Sequence, residues 1–391
     1  MAFSLNSDDQ IIKSMKIGVV TFYGTADNYG QILQCYALIR VLQKMGHTPF
    51  LIKYTKLETA DRPVRKFVRN ILNFVRTSFR KKASSDQSEN SLPAKERKIL
   101  FDNFYQKYIP SVGPYSLREC RKKLNDFDCF ISGSDQIWGW NVPFFYLAFV
   151  EDKPKLSYAS SLGGFTECNA HARKNMTFWM KSYLHISVRE ESGIKACKYL
   201  GRDDAVVLSD PTLLLTTQEW RQLYPGNVEG KKQNYILIYW LGNETAFGVE
   251  EVLSFASEQR IPIKYIAAQR NKKMADAQIY PGIEEWLSLY DNASYVITNS
   301  FHGTVFSLIM EKPFLVVPLT GQHERMNARL TTLLGQLGLK DRICGSPDEL
   351  VKLKETLQPA LYKEKLENFR RHSFQTLNNW LDEIQEKQIT K

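Results

Sequence analysis

The sequence predicts an α/β protein built from two domains, each a parallel sheet covered by helices. Short apolar runs that end in Gly, Asn, Ser or Asp alternate with longer segments of helical period, which is typical of parallel sheets. At 391 residues the chain exceeds the size at which a single hydrophobic core usually stops growing. Its 43% hydrophobic and 24% charged residues are typical of a globular protein. We therefore expect two doubly wound, Rossmann-like domains.

The first strand–helix–strand unit lies near the N-terminus. KIGVVTFYG (residues 16–24) is predicted to be a buried strand, residues 30–46 a helix capped by Gly46, and TPFLIKY (48–54) the next strand. The connecting loop, residues 24–28, then lies at the carboxyl end of the first strand. Because doubly wound sheets bind ligands at that end, this loop is a candidate binding segment.

Eight further apolar runs follow in two series. Between the series lies PGNVEGKKQ (225–233), which is rich in Gly and Lys and poor in apolar residues. We place the domain boundary there, between an N-terminal domain (1–225) and a C-terminal domain (233–391) whose final helical segment (346–387) packs back toward the first domain. Two such domains facing a cleft form a glycosyltransferase-B-like architecture. The predicted strands are 127–135, 155–163, 185–190 and 205–211, then 235–243, 263–269, 295–300 and 314–318.

The chain is basic, with a formal net charge of +10 and a pI of about 9.1. Acidic partners are therefore expected, such as nucleic acid, an anionic membrane face, or small phosphorylated or carboxylated ligands. Residues 61–98 hold eleven Lys and Arg against four acids and are predicted to be a basic insertion with a solvated helix face. The alternative is a docking patch for the inner membrane face. Nucleic-acid binding is the least favoured interpretation, because the basic residues lack an aromatic-interleaved motif.

Cysteine usage and the length of the apolar runs bear on the compartment. The six cysteines are scattered without a CxxC pair, so neither a disulfide framework nor a zinc site is indicated. Apolar runs are too short to span a bilayer, and acidic residues precede the first of them, unlike in a secretion signal. We therefore expect a cytoplasmic protein, and the basic insertion adds the hypothesis of peripheral contact with the cytoplasmic membrane.

A lone histidine lies where a predicted strand gives way to a predicted helix, in YVITNSFHGTVFSLIM (295–310). His302 falls in the first helical turn, beside unpaired backbone N–H groups at the positive end of the helix dipole, which is an anion-binding position. Ser300 can cap the helix, while Gly303 and Thr304 leave room for an oxygen-rich ligand near the backbone. Since a lone histidine is more often structural than catalytic, this segment alone does not decide the function.

Two further residues with catalytic potential end predicted strands. Asp135 ends FDCFISGSD, and Arg189 lies at the end of HISVRE. Taken singly, Asp135 is best explained as a cap or turn residue, and Arg189 as the ion-pair partner of Glu190, Glu191 or another carboxylate. Taken together with His302, they can face one cleft as a base, an anion clamp and an acid.

Six segments, in this order and spacing, resemble the polysaccharide pyruvyl transferase family. They are NYGQILQCYAL, FISGSDQIW, SYASSLG, ISVREESG, LSDPTLLL and VITNSFHGTVFSLIMEKPF. The resemblance runs from about residue 16 to about residue 345 and includes ERMNARLTTLLGQLGL (324–339). It implies a glycosyltransferase-B-like fold and the transfer of pyruvate from phosphoenolpyruvate onto two hydroxyls of a sugar, giving a cyclic ketal.

The resemblance also implies roles for residues of this chain. The SFHG histidine and the SVRE arginine are His302 and Arg189, and the GSDQ aspartate, Asp135, is the second catalytic candidate. Besides Arg189, the candidate donor-binding residues are Ser300, Gly303, Thr304 and Arg329 in the C-terminal domain, and the candidate acceptor-binding residues are Asn28, Tyr29 and Gln136 in the N-terminal domain. The expected acceptor is a sugar of an exopolysaccharide, a capsule or another cell-surface polysaccharide, or of its free or lipid-linked precursor.

The expected donor fits these residues on chemical grounds. Phosphoenolpyruvate carries a carboxylate and a phosphate, which Arg189 and the backbone of the turn from Ser300 to Thr304 can bind. Protonation of its methylene carbon requires an acid, for which His302 is the candidate. A sugar hydroxyl then attacks the oxocarbenium-like centre with Asp135 as base. The scheme requires no metal or other cofactor, and the sequence shows no His or carboxylate cluster that suggests one.

Two other functions remain open from the sequence. A nucleotide-sugar-dependent glycosyltransferase would use the same cleft and hold the ribose through an acidic side chain, such as those in PGIEEWLSLYDN (281–292). A non-enzymatic partner in polysaccharide assembly would depend on the basic segment 61–98. The sequence does not specify the sugar, the hydroxyls that are bridged, or the oligomeric state.

Overall fold

The structure is a computed structural model of the chain. It describes residues 14–25, 28–55, 57, 92–165, 167–224, 234–242, 244–267, 278–355 and 357–389. The basic insertion up to residue 91 and the domain boundary at 225–233 lie outside the described residues. Both therefore stay predictions.

The first sheet consists of parallel strands from the N-terminal half. They are β1 (Lys16–Val20), β2 (Thr48–Tyr54), β3 (Ser111–Tyr115), β4 (Cys129–Ser132), β5 (Lys155–Ser160), β6 (His185–Val188) and β7 (Val206–Val207). Their spatial order is β3-β2-β1-β4-β5-β6-β7, with Val19 of β1 opposite Leu51 on one side and Ile131 on the other. The order reverses between β1 and β4, and such a reversal creates a ligand-binding crevice at the carboxyl ends.

The second sheet repeats this winding on a smaller scale. Its parallel strands are β8 (Ile236–Trp240), β9 (Ile263–Ala267), β10 (Gln278–Ile279), β11 (Tyr295–Thr298) and β12 (Phe314–Val316), in the order β10-β9-β8-β11-β12. Here the order reverses between β8 and β11, directly before the segment that carries His302. The prediction of an α/β fold with two doubly wound parallel sheets is confirmed.

Each predicted apolar run contains a strand, but β3 and β10 were not predicted. Strand β3 reads SVGPY, in which Val112 is the only aliphatic residue and Pro114 cannot donate a backbone hydrogen bond. It lies at the edge of the first sheet, where proline is tolerated. Strand β10 spans two residues, too few to show an alternating pattern.

Helices connect successive strands and cover the sheets. The described α-helices are α1 (Tyr29–Lys44), α2 (Leu92–Tyr108), α3 (Leu117–Lys123), α4 (Ala170–Met180), α5 (Glu191–Tyr199), α6 (Thr217–Arg221), α7 (Val249–Glu258), α8 (Ile283–Asn292), α9 (Phe301–Ile309), α10 (Ala328–Leu337) and α11 (Pro359–Ile389). Short 3₁₀ helices span Pro211–Leu214, Gly321–Asn327, Lys340–Arg342 and Pro347–Lys354.

The predicted cap of α1 is confirmed. Gly46 has a φ of +86°, its N–H donates to the Gln43 carbonyl, and the next N–H, of His47, donates to the Leu42 carbonyl. These two bonds satisfy carbonyls that the end of a helix leaves unpaired. The cap fixes where α1 ends and β2 begins.

The two sheets share a continuous hydrophobic core. Tyr29, in the first turn of α1, is fully buried, and its ring stacks on Trp286 of α8 with 5.3 Å between ring centroids. The Tyr29 hydroxyl also donates a hydrogen bond to the Pro281 carbonyl at 2.7 Å. The start of α1 is therefore held directly against the second half of the chain.

The C-terminal helix α11 packs back on the first sheet. Ser373 Oγ accepts a hydrogen bond from the Ser209 N–H at 2.9 Å. Near the end of the helix, Glu383 lies 2.6 Å from His185 Nε2, and the His185 ring stacks on Trp380 at 4.9 Å. The helix thereby covers strand ends that belong to the other half of the chain.

Candidate functional site

The structure brings Asp135, Arg189 and His302 together where strands end. Asp135 follows β4, Arg189 follows β6, and His302 lies in the first turn of α9. Arg189 Nη2 is 3.6 Å from Asp135 Oδ1. Arg189 Nη1 and His302 Nε2 both approach Oδ2 of a fourth residue, Asp210, at 2.7 and 3.5 Å. None of the four side chains is more than 9% exposed, so the cluster lies buried between the two halves of the chain.

Asp210 is the electrostatic centre of this cluster. Its Oδ1 accepts hydrogen bonds from the N–H and the hydroxyl of Thr212, at 3.0 and 2.7 Å, and its Oδ2 accepts one from Ser134 Oγ at 3.2 Å. Burial opposes ionisation of the carboxyl group, but His302, Arg189 and the Thr212 hydroxyl outweigh burial and hold the Asp210 pKa well below its usual range. Asp210 is therefore a charged carboxylate at neutral pH.

His302 is wedged between Asp210 and the start of α1. Its Nδ1 faces Gly30, and a Cβ atom at position 30 would lie 2.0 Å from that nitrogen. Its Nε2 is buried and has no hydrogen-bond partner, since the 3.5 Å separation from Asp210 is too long for one. The position of the imidazole therefore depends on a glycine contributed by the other half of the chain.

Two arginines flank the aromatic ring of Phe301. The guanidinium carbons of Arg189 and Arg329 lie 4.6 and 5.8 Å from its centroid. Burial and repulsion from Arg189 lower the pKa of Arg329 to about 10. The site therefore concentrates two cations, the buried Arg189 and the partly exposed Arg329, at the start of α9, where the helix dipole is also positive.

Glu190 supplies a further carboxylate next to these cations. Its Oε1 accepts hydrogen bonds from the Ser161 hydroxyl at 2.9 Å and the Leu162 N–H at 3.0 Å. Burial raises the pKa of Glu190 despite Arg189 and Arg329 nearby. Its Oε2 has no hydrogen-bond partner, and neither do Nε and Nη2 of Arg189. Such buried, unsatisfied polar atoms are costly unless a ligand or water pairs with them.

The first turn of α9 agrees with the sequence prediction in one respect and differs in another. Ser300 caps the helix as predicted, because its Oγ accepts the Gly303 N–H at 3.2 Å. The room expected at Gly303 is instead filled by protein, since a Cβ there would lie 2.4 Å from Thr298 Oγ1. The Thr304 hydroxyl donates to the Ser300 carbonyl at 3.0 Å. Donor binding by Ser300, Gly303 and Thr304 stays a prediction.

The three predicted acceptor-binding residues lie in different surroundings. Asn28 caps α1 by accepting the Gln31 N–H at 3.2 Å. Tyr29 is used in packing through its ring and its hydroxyl, as described above. Gln136 is partly exposed, and its side chain lies against Gly163, where a Cβ would meet Nε2 at 2.0 Å. Acceptor binding stays a prediction for all three residues, and Asn28 and Gln136 are the partly exposed ones.

Sequence reasoning did not assign roles to Asp210, Glu190 or Gly30. A signal was present for Asp210, because it follows the apolar stretch at the end of the predicted strand 205–211, much as Asp135 ends its own run. Glu190 was considered only as a partner of Arg189. Gly30 carried no signal, since its importance comes from contact with a residue of the other sheet.

Two cavities lie outside this cluster. One, of about 840 Å³, borders α4 and the end of α5. The other, of about 160 Å³, lies near the carboxyl ends of β1 and β2 and is lined in part by Tyr23, Lys53 and Tyr105. In the parts of the chain that the structure covers, no group of three or more His, Cys, Asp or Glu side chains is placed to hold a metal ion. Likewise, none of the described helices is both long and apolar enough to cross a membrane.

Comparison with solved structures shows a glycosyltransferase-B-like fold. The UDP-GlcNAc 2-epimerase of Methanocaldococcus jannaschii superposes with a TM-score of 0.52 at 12% identity, covering 94% of this chain and 99% of that one. The complex of the same enzyme with UDP-GlcNAc and UDP superposes with a TM-score of 0.51 at 13% identity, covering 95% of this chain and 99% of that one. At such low identity the likeness concerns the fold alone.

Comparison with sequences shows the family. A search among curated proteins gave no match. Residues 28–319 match the family model of polysaccharide pyruvyl transferases, and this match spans most of the chain, including all four residues of the buried cluster. The chain therefore belongs to the polysaccharide pyruvyl transferase family and is a transferase.

Proposed function

We propose that this transferase moves pyruvate from phosphoenolpyruvate onto two hydroxyls of a saccharide, as a cyclic ketal. The observation that carries the proposal is the set of buried donors without acceptors, Arg189 Nε and Nη2 and His302 Nε2, gathered in one cluster. A ligand rich in anionic oxygens satisfies such donors. Phosphoenolpyruvate offers a carboxylate and a phosphate within one small molecule.

Arg189 and Arg329, whose guanidinium groups both lie close to the Phe301 ring, would bind the donor. Their mutual repulsion, which contributes to the low pKa of Arg329, is relieved when a multiply charged anion lies between or beside them. The N–H groups of Phe301 and His302, in the first turn of α9, have no intrahelical acceptor and would be available to the donor's anionic oxygens. The donor site is thus assigned to the start of α9 and the end of β6.

His302 would act as the acid that protonates the methylene carbon of the donor. The Asp210 carboxylate, 3.5 Å away, compensates an imidazolium and orients it, so we assign Asp210 as a positioning residue. Protonation converts the enol carbon into an oxocarbenium-like centre, which a first sugar hydroxyl attacks while Asp135 accepts its proton. The carbon–oxygen bond to phosphate then breaks and regenerates an oxocarbenium-like centre, which the second hydroxyl attacks while its proton passes to the departing phosphate. The products are the ketal and inorganic phosphate.

The buried state of the cluster requires that the two halves separate before substrates bind. His302 belongs to the second half, whereas Asp135, Arg189 and Asp210 belong to the first, and their side chains are almost inaccessible. Parting the halves would expose the arginines, and closure on the donor would exclude water from the oxocarbenium-like centre. Water at that centre would release free pyruvate.

The acceptor is proposed to be a sugar of a cell-surface polysaccharide or of its precursor, free or lipid-linked. Asn28 and Gln136, partly exposed on the first half, are the proposed acceptor contacts. We place the reaction in the cytoplasm, at or near the inner membrane face, because phosphoenolpyruvate is a cytoplasmic metabolite and the segment 61–98 is basic. A nucleotide-sugar-dependent reaction is less well supported, because Asp291, one candidate for holding a ribose, already accepts hydrogen bonds from Arg221 at 2.8 Å and Tyr224 at 2.9 Å.

Mass spectrometry of oligosaccharide acceptors incubated with phosphoenolpyruvate tests the proposal. The expected product gains one pyruvate less water, with release of one phosphate. His302→Gln should keep the fold and most donor binding but lose roughly 100- to 10,000-fold in rate, the usual value of general acid catalysis. His171→Gln, at an exposed position in α4, is the matched control and should retain full activity. Transfer from sugar nucleotides without any from phosphoenolpyruvate would contradict the proposal.

A further inference from the structure

The 840 Å³ cavity is a basic groove that the proposed reaction does not use. Its charged lining residues are Arg173 and Lys174 of α4, Lys181 just after α4, and Lys198 of α5. Among the described lining residues none is acidic. We name this surface the α4–α5 groove.

The cations of the groove are available to a ligand. Lys174, Lys181 and Lys198 are exposed, and within the described residues none of them forms an ion pair. Arg173 is fixed in place, because its guanidinium lies 4.3 Å from the centroid of the Tyr199 ring and donates a hydrogen bond to the Tyr199 carbonyl at 3.2 Å. A concave surface with one sign of charge attracts and concentrates anions.

The groove also exposes an aromatic surface. Phe178 of α4 lines it and is 72% exposed. The partly exposed Tyr199 ring lies in the same groove beneath Arg173. Aromatic faces next to cations suit a ligand with apolar C–H faces and anionic groups, such as an acidic saccharide, better than they suit a simple inorganic anion.

The groove and the buried cluster are joined by a short segment of chain. Ser161 donates a hydrogen bond to Glu190 at the cluster, and Cys168 lines the groove. They are seven positions apart in the sequence, so their Cα atoms are at most about 25 Å apart even if the chain is fully extended. A few consecutive sugars of a polymer span that distance.

We propose that the α4–α5 groove binds the pyruvylated saccharide product through its ketal carboxylates. This inference rests on the proposed function, because each transfer would convert an uncharged pair of hydroxyls into a ketal that carries one carboxylate. The groove would therefore bind the modified part of a polymer and not its unmodified part. Retention of that part keeps the next acceptor sugar near the cluster, and the enzyme modifies several sugars of one chain before it dissociates.

Two small probes test the charge specificity of the groove. One is methyl 4,6-O-(1-carboxyethylidene)-galactoside, which carries the ketal carboxylate, and the other is methyl 4,6-O-ethylidene-galactoside, which lacks it. Binding is measured by saturation-transfer NMR and titration. The carboxylated probe should bind more tightly, and the combined substitution Lys174→Gln, Lys181→Gln and Lys198→Gln should weaken it roughly tenfold at low salt, as expected for three exposed charge contacts. Phe178→Ala should weaken both probes.

The control is a second triple variant with the same change in net charge, Lys122→Gln, Lys153→Gln and Lys195→Gln, at exposed positions outside the groove. Equal loss in the two triple variants, or equal binding of the two probes to wild type, would overturn the inference. A third result would also overturn it: the groove variant no longer sediments with phosphatidylglycerol vesicles but binds the probes as wild type does. The groove would then be a membrane contact. Calorimetric titration of phosphoenolpyruvate into the same groove variant tests the donor site separately, and its affinity should equal that of wild type.

Discussion

Substitution of Gly30 by alanine should displace His302, the proposed acid, without changing the histidine itself. A Cβ atom at position 30 would lie 2.0 Å from His302 Nδ1, whereas ordinary contacts begin at 3.4 Å, so the imidazole must retreat by about 1.4 Å (3.4 − 2.0). A displacement of about 1 Å of a catalytic group can cost 100-fold in rate. We therefore expect turnover to fall by roughly two orders of magnitude in an assay of phosphate release and ketal formation.

The same substitution should have a modest effect on stability. Within a helix, alanine raises the free energy of unfolding by about 0.5 to 1 kcal/mol relative to glycine. Overpacking lowers it by about 1 to 3 kcal/mol. Gly335→Ala in α10 is the matched control, because its Cβ meets only the flexible end of Lys340. In a double-mutant cycle, Gly30→Ala should no longer destabilise the protein when combined with His302→Ala, because the ring that the new Cβ meets is absent. Wild-type turnover in Gly30→Ala would refute the assignment of His302, or its position.

Three further outcomes are expected. Asp210→Asn should lower the free energy of unfolding in urea by about 3 kcal/mol, because the buried Arg189 loses its nearest carboxylate and keeps only Asp135 at 3.6 Å; an unchanged midpoint would show that Asp210 is not the centre of the cluster. Arg189→Ala should weaken phosphoenolpyruvate binding by roughly 2 to 3 kcal/mol in calorimetry, through loss of a charge-assisted contact, and unaltered affinity would make Arg189 purely structural. Burial lowers the pKa of Lys155 to about 8, against 10.5 in the unfolded chain. The buried charge therefore lowers the free energy of unfolding by its full amount below pH 8, and this loss disappears as the pH rises to 10.5. Lys155→Met should therefore stabilise the protein by up to about 3 kcal/mol near pH 7, and a gain that did not shrink as the pH rises from 8 to 10.5 would contradict this account.

Most strands, and their arrangement in two doubly wound parallel sheets, were predictable because buried parallel strands have a strong local signal. Runs such as those of β4 and β11 are apolar throughout and end in polar residues, and parallel winding places those ends at one edge. That reasoning sufficed to bring Asp135, Arg189 and His302 into one cluster. It failed for β3, whose sequence contains Gly and Pro and whose place at a sheet edge relaxes the need for apolar residues.

Contacts between the two halves were not predictable from local sequence. Tyr29 follows a loop at a strand end and is predicted to contact the acceptor, and nothing in its local sequence indicates that its ring and hydroxyl contact Trp286 and Pro281. Gly30 is required by the His302 ring, which lies far along the chain. Such roles follow from the tertiary arrangement, and neither periodicity nor residue type in one segment contains that information.

Helix α11 limits how enzymes of this architecture can be recombined. It is the last element of the second half, yet it contacts two residues of the first half. Ser373 accepts a hydrogen bond from Ser209, and the Trp380 ring stacks on His185. A chimera that joins residues up to 224 from one parent to the remainder of another would place a foreign helix on those strands. Exchange of the two halves between relatives therefore requires that α11 come from the same parent as the first sheet.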